Sequence, residues 1–379
     1  MTTLRYSLGD IGPAVNELRS KFAQLGLLRA NDGVEFSDAP FDAPLDRAVR
    51  QFQLERGVTA DGVVGPQTYR LLEEARWRLG DRLLSYSGSN PLVGDDVMTL
   101  QRRLAELGFD VGRIDGVFGP VAENALRDFQ RNVGLPPDGT CGPATFKALA
   151  RRAPIVTGGR PHWLREGEAL RRLGPRLSGK VVVIDPGHGG GDRGATGHGL
   201  EEATVAADLA ARIEGRLAAT GVHAFLTRGR ATPEEVDEAS RARFANDTGA
   251  NLVISVHVDA TRGTQASGVA TYYYGNDRHG AFSAVGEQFA GLIQREIVAR
   301  TDLRDCHTHP KTWDLLRYTR MPAVRVELGY LSNPHDAARL ADPAFRDVVA
   351  EAIVVAVQRV FLSKDDDATT GALLLRDLA

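Results

Sequence analysis

Four residues that lie far apart in the chain have the side chains of a hydrolytic metal site. They are His188, Glu202, His257 and Glu327. Two histidines and one glutamate can hold a zinc ion, and hydrolytic zinc sites keep the fourth ligand position open for water. A second glutamate can then act on that water. These residue types predict metal-dependent hydrolysis, provided that the fold brings them together.

The region around these four residues has the pattern of an α/β domain. Short β-rich runs alternate with longer helical stretches from residue 180 onward, which predicts a largely parallel sheet. The predicted strands cover 181–184, 224–227, 252–257, 269–274 and 323–328. The predicted helices cover 202–219, 234–248, 282–300 and 345–362.

Three of the four candidate residues lie at the carboxyl ends of predicted strands. His188 follows the first strand through a glycine-rich turn, His257 ends the third, and Glu327 lies near the end of the last. Glu202 opens a helix whose apolar residues recur every four positions. Ligands of open α/β sheets bind at the carboxyl ends of the strands. The topology therefore predicts that the four side chains converge.

Each segment alone allows a simpler interpretation. A lone buried histidine is commonly a hydrogen-bonded core residue, and Glu202 alone fits an ordinary first-turn glutamate. The segment 187–194 is compatible with a phosphate-binding loop, although no predicted helix begins directly after it and Asp192 would repel phosphate. Glu327 is harder to explain in this way, because an unpaired carboxylate in a core strand is costly.

The first 150 residues contain an internal repeat. Ala48-Val-Arg-Gln-Phe-Gln matches Ala125-Leu-Arg-Asp-Phe-Gln, and Asp61-Gly-Val-Val-Gly-Pro-Gln-Thr matches Asp138-Gly-Thr-Cys-Gly-Pro-Ala-Thr. The members of each pair are 77 residues apart. Apolar residues three and four apart predict three short helices per copy, and the Gly-Pro pairs suit helix starts.

This repeat resembles tandem peptidoglycan-binding modules of the three-helix type, over about residues 8–75 and 93–150. The second copy has the turn Asp115-Gly-Val-Phe-Gly before its second helix, whereas the first copy has the segment 36–44 there and lacks this turn. The first copy therefore departs from the pattern expected for ligand binding. A structural or protein-docking role is the alternative for either copy.

Composition and charge narrow the classes of function. Of the 379 residues, 42% are hydrophobic and 25% charged, as in soluble globular proteins with two or three domains. The net charge of −3 gives no overall attraction to nucleic acid, and no apolar run approaches the ~18 residues of a transmembrane segment. Cys141 takes the place of Val64 in the repeat and is expected to be buried. With Cys306 it forms no disulfide framework.

The amino terminus, Met1-Thr-Thr-Leu-Arg-Tyr-Ser, lacks the charged start and apolar stretch of a signal peptide. The expected location is cytoplasmic as written, or extracellular if a leader has been removed.

The repeat and the strand–helix pattern together predict a multidomain chain, with two small all-α three-helix modules before an α/β domain with a mostly parallel sheet. The predicted boundaries are 1–80 and 86–153 for the modules, 154–178 for a linker, 179–363 for the α/β domain and 364–379 for a mobile tail.

A series of short motifs spans residues 180–362. They are Asp185-Pro-Gly-His-Gly-Gly-Gly-Asp, Thr227-Arg, Arg241 ahead of Ala-Asn, Ser255-Val-His, Gly268-Val-Ala-Thr-Tyr-Tyr, Leu316-Arg and Met321-Pro-Ala-Val-Arg-Val-Glu-Leu-Gly-Tyr-Leu-Ser-Asn. Together they closely resemble the catalytic domain of the zinc-dependent N-acetylmuramoyl-L-alanine amidases of the amidase-3 family. The resemblance implies Zn²⁺ held by His188, Glu202 and His257, with Glu327 as general base. It also implies cleavage between N-acetylmuramic acid and L-alanine in peptidoglycan or muropeptides.

Two residues depart from the pattern of that family. Asp259 stands where asparagine is usual, and Arg325 stands where an apolar strand residue is usual. Strand alternation places Arg325 on the same face as Glu327. A cation there is expected to lower the pKa of the base or to oppose the metal. The pair His307 and His309 is interpreted as surface or loop residues, with auxiliary metal binding as the alternative.

The layout of the whole chain also resembles the actinobacterial CwlM-type proteins, which are cytoplasmic regulators of peptidoglycan precursor synthesis. This resemblance implies precursor enzymes and a Ser/Thr kinase as partners, and a residual or unused metal site. Thr369 and Thr370 in the tail are the candidate phosphorylation sites. A zinc amidase is the preferred interpretation because all four site residues are present, and the regulator is the alternative.

Overall fold

The computed structural model of the protein describes residues 5–29, 39–88, 91–152, 161–229, 235–276 and 281–362. The chain forms two compact units, one of Met1–His162 with Asn276–Ala281 and one of Trp163–Gly275 with Phe282–Ala379. Thr369, Thr370 and the predicted tail lie outside the described residues, as do residues 154–160 of the predicted linker. The predicted domain boundaries stay predictions.

The first unit contains two three-helix modules. The helices of the first module are α1 (Pro13–Gln24), α2 (Ala43–Arg56) and α3 (Pro66–Ala75). Those of the second are α4 (Asp95–Glu106), α5 (Pro120–Asn132) and α6 (Pro143–Ala150). Buried residues recur three and four positions apart along the longer helices, so that each has one apolar face. This confirms the all-α part of the predicted fold.

Four of these helices begin at the Gly-Pro pairs of the sequence. The proline is the first helical residue in each case, where a helix needs no N–H. Helix α2 begins differently, because the Asp42 carboxylate accepts a hydrogen bond from the Leu45 N–H (3.1 Å). The glycine N-cap residues are Gly12, Gly65, Gly119 and Gly142.

A buried glutamine holds the Asp-Gly turn before the third helix of each module. Gln130 donates from Nε2 to Asp138 Oδ1 (2.7 Å), and its Oε1 accepts from the Gly139 N–H (2.9 Å). Gln53 makes the equivalent bonds in the first module. Because buried polar groups need partners, the repeated Phe-Gln and Asp-Gly motifs have a structural role within each module.

The modules differ at the turn before their second helix. In the second module Gln101 donates to Asp115 (2.8 Å) and accepts from the Gly116 N–H (2.8 Å). The equivalent residue of the first module is Arg19, which is buried and pairs with Asp42 (2.8 Å). An arginine–carboxylate pair thus replaces the Asp-Gly turn that the first copy lacks.

Cys141 lies in the core of the second module, as its match with Val64 predicts. It is buried and forms an isolated β-bridge with Leu84, and Val64 forms the equivalent bridge with Tyr6. Burial, with a smaller contribution from Asp96, raises the pKa of the Cys141 thiol to about 12. The residue therefore behaves as a small apolar side chain.

All but the first two residues of α7 (Pro161–Arg172) belong to the second unit, and strands and helices then alternate. Leu170 of α7 and Leu177 join the hydrophobic core of this unit. The elements that follow are β1 (Val181–Pro186), β2 (Thr196–Gly197), β3 (Leu200–Glu201), α8 (Glu202–Ala219), β4 (His223–Leu226), α9 (Glu238–Asp247), β5 (Leu252–Asp259), β6 (Val269–Asn276), β7 (Ala281–Phe282), α10 (Ala284–Arg300), β8 (Asp305–Lys311), α11 (Asp314–Tyr318), β9 (Ala323–Tyr330), α12 (Pro334–Ala341) and α13 (Pro343–Val360).

The main sheet has the strand order β4-β1-β5-β9-β6-β7, and β8 also pairs with β6. Strand β1 is parallel to β4 and β5, and β5 is parallel to β9. Strand β6 is antiparallel to β9 and parallel to β8. Helix α8 packs against β1 and β5, and α13 packs against α8 and α10. The α/β domain with a mostly parallel sheet is thereby confirmed.

Besides the two-residue strands β2, β3 and β7, the elements β8, α11 and α12 have no counterpart among the predicted ones. Strand β8 carries His307 and His309, which are both exposed, in agreement with their assignment to the surface. Its sequence, Asp-Cys-His-Thr-His-Pro-Lys, has no apolar alternation to mark a strand. None of the helices in the described ranges is both long enough and apolar enough to cross a membrane.

Candidate metal centre

The fold brings the four predicted site residues to one edge of the sheet. His188 follows β1, His257 lies in β5, and Glu327 lies in β9, where it pairs in register with His257. Glu202 is the first residue of α8, which packs on β1 and β5. The site thus lies at the carboxyl ends of parallel strands, where α/β sheets bind ligands.

Three of these side chains form a cluster that could hold a metal ion. Ligand atoms of His188, Glu202 and His257 all lie within 4.8 Å of one another. Glu202 Oε2 is 3.1 Å from His188 Nε2, and Glu202 Oε1 is 2.8 Å from His257 Nδ1. Ligands of a tetrahedral zinc ion stand about 3.3 Å apart, given zinc–ligand distances of about 2.0–2.2 Å. The donor set and its spacing therefore fit zinc.

Glycines let the backbone approach these ligands closely. A Cβ atom at Gly187 would lie 2.3 Å from His257 Cε1, and one at Gly194 would lie 2.5 Å from Glu202 Oε2. His188 itself has a φ of 57°, which is uncommon for a residue other than glycine. The glycine-rich loop therefore shapes the cluster of ligands, and this favours a metal site over the phosphate-binding alternative.

Asp192 contacts His188 on the side away from Glu202. Its Oδ2 is 2.6 Å from His188 Nδ1, and its Oδ1 accepts from the Gly194 N–H (2.9 Å). Metal-binding histidines commonly have a carboxylate on their other ring nitrogen, which fixes the tautomer and the ring orientation. Asp192 is therefore a supporting residue of the site, a role that the sequence alone did not reveal.

The charges of the cluster shift the pKa values of all three ligands. Burial opposes protonation of His188, but the carboxylates of Glu202 and Asp192 outweigh it and raise its pKa. Burial and then the nearby charge of Arg325 lower the pKa of His257. Burial opposes ionisation of Glu202, yet its hydrogen bonds to the two histidines hold its pKa far below the ordinary range. Glu202 is therefore a carboxylate at neutral pH, as a metal ligand must be.

A buried ion pair supports the loop that carries His188. Arg241 donates from Nη1 to Asp185 Oδ1 (2.8 Å), and both side chains are buried. Arg241 also donates to the carbonyl oxygens of Pro186 and His188 (2.6 Å each). Ser255 donates to the second oxygen of Asp185 (2.7 Å). Burial opposes ionisation of Asp185, but Arg241 outweighs it and lowers the pKa.

Glu327 lies beside the cluster. One of its carboxylate oxygens is hydrogen-bonded, and the other has no hydrogen-bond partner among the described residues. Arg325 donates from Nε to Glu327 Oε1 (2.8 Å), which confirms the predicted shared face. Glu327 Oε2 is buried and has no hydrogen-bond partner among the described residues. Arg325 also donates to Glu238 (3.1 Å) and stacks over the ring of Trp313 at 4.5 Å. Neither Glu238 nor Trp313 lies in a sequence motif that identifies it as a site residue.

The charge of Arg325 acts on the pKa of Glu327 in the predicted, downward direction, but burial has the larger effect. Burial raises the pKa of Glu327, and the charge of Arg325 opposes this without cancelling it, so that the net shift is upward. The charge of Glu202 adds to the rise. A raised pKa suits a carboxylate that must take up a proton near neutral pH.

Asp259 lies at the end of β5, next to the site. Although the residue is exposed, partial desolvation by the neighbouring side chains, followed by the negative charge of Glu327, raises the pKa of Asp259. Its Oδ1 accepts from the Ala260 N–H (2.7 Å), so the carboxylate is tied to the local backbone. Asp259 therefore adds negative charge near the base rather than a fourth ligand of the cluster.

The fold and the site together define the class of protein. A mostly parallel α/β domain carries two histidines and a carboxylate within ligand distance, and a second carboxylate beside them keeps a buried oxygen open. This is the arrangement of a hydrolytic enzyme domain with a cluster that could bind a metal ion.

Comparisons with known proteins place the chain within that class. A family model for N-acetylmuramoyl-L-alanine amidase matches residues 182–359, and one for a peptidoglycan binding domain matches residues 11–72 and 93–149. The N-acetylmuramoyl-L-alanine amidase CwlM of Mycobacterium tuberculosis is 46% identical, over 98% of this chain and 93% of its own length. The chain belongs to the N-acetylmuramoyl-L-alanine amidase family.

Other relatives match about half of the chain. The germination-specific N-acetylmuramoyl-L-alanine amidase of Bacillus subtilis is 32% identical, over 50% of this chain and 83% of its own length. The solved catalytic domain of CwlV, an N-acetylmuramoyl-L-alanine amidase from Bacillus (Paenibacillus) polymyxa var. colistinus, is 30% identical, with a TM-score of 0.43 over 47% of this chain and 96% of that one.

Proposed function

We propose that the protein is a zinc-dependent amidase that hydrolyses the bond between N-acetylmuramic acid and L-alanine in peptidoglycan or its fragments. The observation that carries the proposal is the convergence of His188, Glu202 and His257 within ligand distance, beside the open oxygen of Glu327. Membership of the amidase family supports the choice of bond.

The residues divide into ligands and base. His188, Glu202 and His257 would hold zinc, with Asp192 fixing the orientation of His188. Zinc, when bound, supplies Lewis acidity that polarises the amide carbonyl and lowers the pKa of a water molecule.

Glu327 supplies the proton transfers. Its Oε2 has no other partner among the described residues, so it can accept a proton from the attacking water. The same carboxyl group then donates this proton to the departing nitrogen of L-alanine. Arg325 holds Oε1 meanwhile, so that the carboxylate keeps its direction through both steps. The peptidoglycan-binding modules would bring the chain to the polymer.

Two measurements on one preparation test the proposal. Purified protein, handled without chelator, should contain about one zinc per chain and should release L-alanine-terminated peptides from a muropeptide. Glu327→Gln keeps the shape of the side chain but removes the base, so zinc should remain while cleavage is lost. Protein that binds no zinc, or a Glu327→Gln variant that still cleaves at the original rate, would contradict the assignment.

A cytoplasmic regulator of peptidoglycan precursor synthesis is the second candidate. The ion pairs of Arg325 with Glu327 and Glu238 favour it, because a fixed positive charge beside the base opposes the binding of a metal cation. In this case zinc-loaded protein would not cleave muropeptides, and fractionation of native cells would find the protein in the cytosol only. The kinase, the precursor enzymes and the phosphorylation of Thr369 and Thr370 belong to this proposal.

A further inference from the structure

The two modules of the first unit differ at one equivalent place on their surfaces. In the first module, Tyr69 of α3 donates its hydroxyl to Glu17 of α1 (2.9 Å). Lys21 pairs with Glu17 (3.2 Å) and also with Glu73, and its ammonium lies 5.5 Å from the centre of the Tyr69 ring. The four side chains satisfy one another and close the space between α1 and α3.

The matching positions of the second module leave this space open. The alignment of the repeat places Thr99, Arg103, Phe146 and Ala150 where the first module has Glu17, Lys21, Tyr69 and Glu73, respectively. All four residues line a cavity of about 480 Å³, whose other wall is the segment 77–79 that follows α3. Its volume lies within the range of ligand pockets, about 300–1,000 Å³.

The walls of this cavity combine an aromatic surface with positive charge. Phe146 is 38% exposed, like its counterpart in the first module, but it has no hydroxyl. Arg78 and Arg103 are exposed. Asp95 also lines the cavity, yet Arg56 neutralises it through two hydrogen bonds (2.6 and 2.8 Å). Arg103 also pairs with Glu106 on the same helix (3.6 Å), and the lining itself therefore carries two arginines and one paired carboxylate.

The ring of Trp77 forms a rigid part of the wall. Guanidinium groups of Arg76 and Arg82 lie 4.5 and 4.6 Å from its centre. Arg82 is itself anchored to buried Asp96 (2.7 Å). A fixed indole reduces the entropy that a ligand would lose on binding. The cavity thus has a preformed aromatic end and a cationic rim.

We propose that this cavity of the second module binds the muramyl residue of peptidoglycan together with its stem peptide. The C–H face of the muramyl pyranose ring can pack on Phe146, and the guanidinium groups of Arg78 and Arg103 can bind a carboxylate of the stem peptide. This inference rests on the peptidoglycan-binding part of the proposed function and locates it between α4 and α6.

The test measures binding without hydrolysis. Calorimetry would titrate a soluble disaccharide tetrapeptide, N-acetylglucosaminyl-N-acetylmuramoyl-tetrapeptide, into the full chain that carries Glu327→Gln. We expect Phe146→Ala to weaken the binding phase of this cavity at least tenfold. Tyr69→Ala, at the matched position of the first module and with the same exposure, should bind like the parent.

A second variant distinguishes loss of the cavity from loss of the folded structure. Thr99→Glu combined with Ala150→Glu places the two glutamates of the first module around Arg103, and should close the cavity with the helices intact by circular dichroism. Loss of binding in this double variant supports the site, and unchanged binding in it or in Phe146→Ala overturns it. Binding of the sugar-free tetrapeptide as strong as that of the full fragment would overturn the saccharide assignment.

This result is independent of amidase activity. Zinc content and cleavage by the chain with intact Glu327 report on the proposed reaction alone. A chain that cleaves, but whose binding is unaffected by Phe146→Ala, refutes the cavity and retains the enzyme. A chain whose binding depends on Phe146 but that does not cleave supports the cavity and contradicts the proposed reaction.

Discussion

Arg325 donates to Oε1 of Glu327 at 2.8 Å, whereas Oε2 of Glu327 is buried and has no hydrogen-bond partner among the described residues. The arginine is itself restrained by Glu238 and by the ring of Trp313. The base therefore has a fixed direction before any substrate arrives. An apolar residue at position 325 would leave both oxygens without this restraint.

The first prediction concerns this restraint. Arg325→Gln should lower kcat for muropeptide cleavage by about 10–100-fold, because a small misplacement of a catalytic group costs about that much. Zinc content should not change, since Arg325 is not a ligand. Arg325→Lys should restore little, because an ammonium cannot reproduce the two directed guanidinium contacts.

The control for this prediction is Arg320→Gln, which changes an exposed arginine at the turn before β9. A kcat that stays at the parent value in Arg325→Gln would show that the base needs no such support. A kcat that rises would show that Arg325 inhibits cleavage, as the regulatory proposal requires.

The second prediction concerns Asp192. Its contact with His188 Nδ1 at 2.6 Å orients the ring, so Asp192→Asn should weaken zinc binding by about 10–100-fold. Competition with a fluorescent zinc chelator measures this directly and does not depend on activity. Glu201→Gln is the matched control, since Glu201 is a carboxylate of the same region that pairs with the exposed Arg193 (3.1 Å). Equal zinc affinity in Asp192→Asn and the parent would rule out the orienting role.

The third prediction concerns the buried pair of Asp185 and Arg241. Asp185→Asn leaves the Arg241 charge uncompensated and should lower the free energy of unfolding by about 3–5 kcal/mol at pH 7. The pKa of Asp185 is lower in the folded chain than its ordinary value of 3.8. The stabilisation is therefore complete above about pH 4 and is lost as pH falls through the folded-state pKa.

Urea unfolding of the zinc-free protein at several pH values measures this dependence. The difference between parent and Asp185→Asn should be equal at pH 7 and pH 5 and should narrow only below about pH 4. Asp347→Asn, which removes a half-exposed carboxylate paired with Arg212 and Arg216, should lower the free energy of unfolding far less than Asp185→Asn does. A difference that shrinks already between pH 7 and pH 5 would contradict the lowered pKa.

Much of this architecture could be predicted from the sequence because the signals were local. Gly-Pro pairs mark helix starts, and the helix 202–219 was predicted with its observed bounds because its apolar period is regular. The four site residues could be grouped because three of them end strands that parallel pairing must align. Strand β8 was missed because its histidines and proline hide any alternation.

What the sequence did not reveal depends on contacts between distant segments. Glu238 reaches Arg325 from α9, and Trp313 reaches it from the start of α11, although nothing in either segment marks a site. The net pKa of Glu327 likewise follows from burial, which residue types alone do not give. The different surfaces of the two modules became visible only when Tyr69 and Phe146 could be compared in space.

The fourth prediction concerns the two free cysteines. Cys141 is buried in the second module, with a pKa of about 12, so its thiolate is scarce at pH 8. Cys306 in β8 is partly exposed. A chromogenic disulfide reagent should therefore modify one thiol per native chain and two after unfolding in urea. Cys306→Ser should leave no thiol that reacts in the native state, and rapid labelling of this variant would show that the core of the second module opens far more readily than its packing implies.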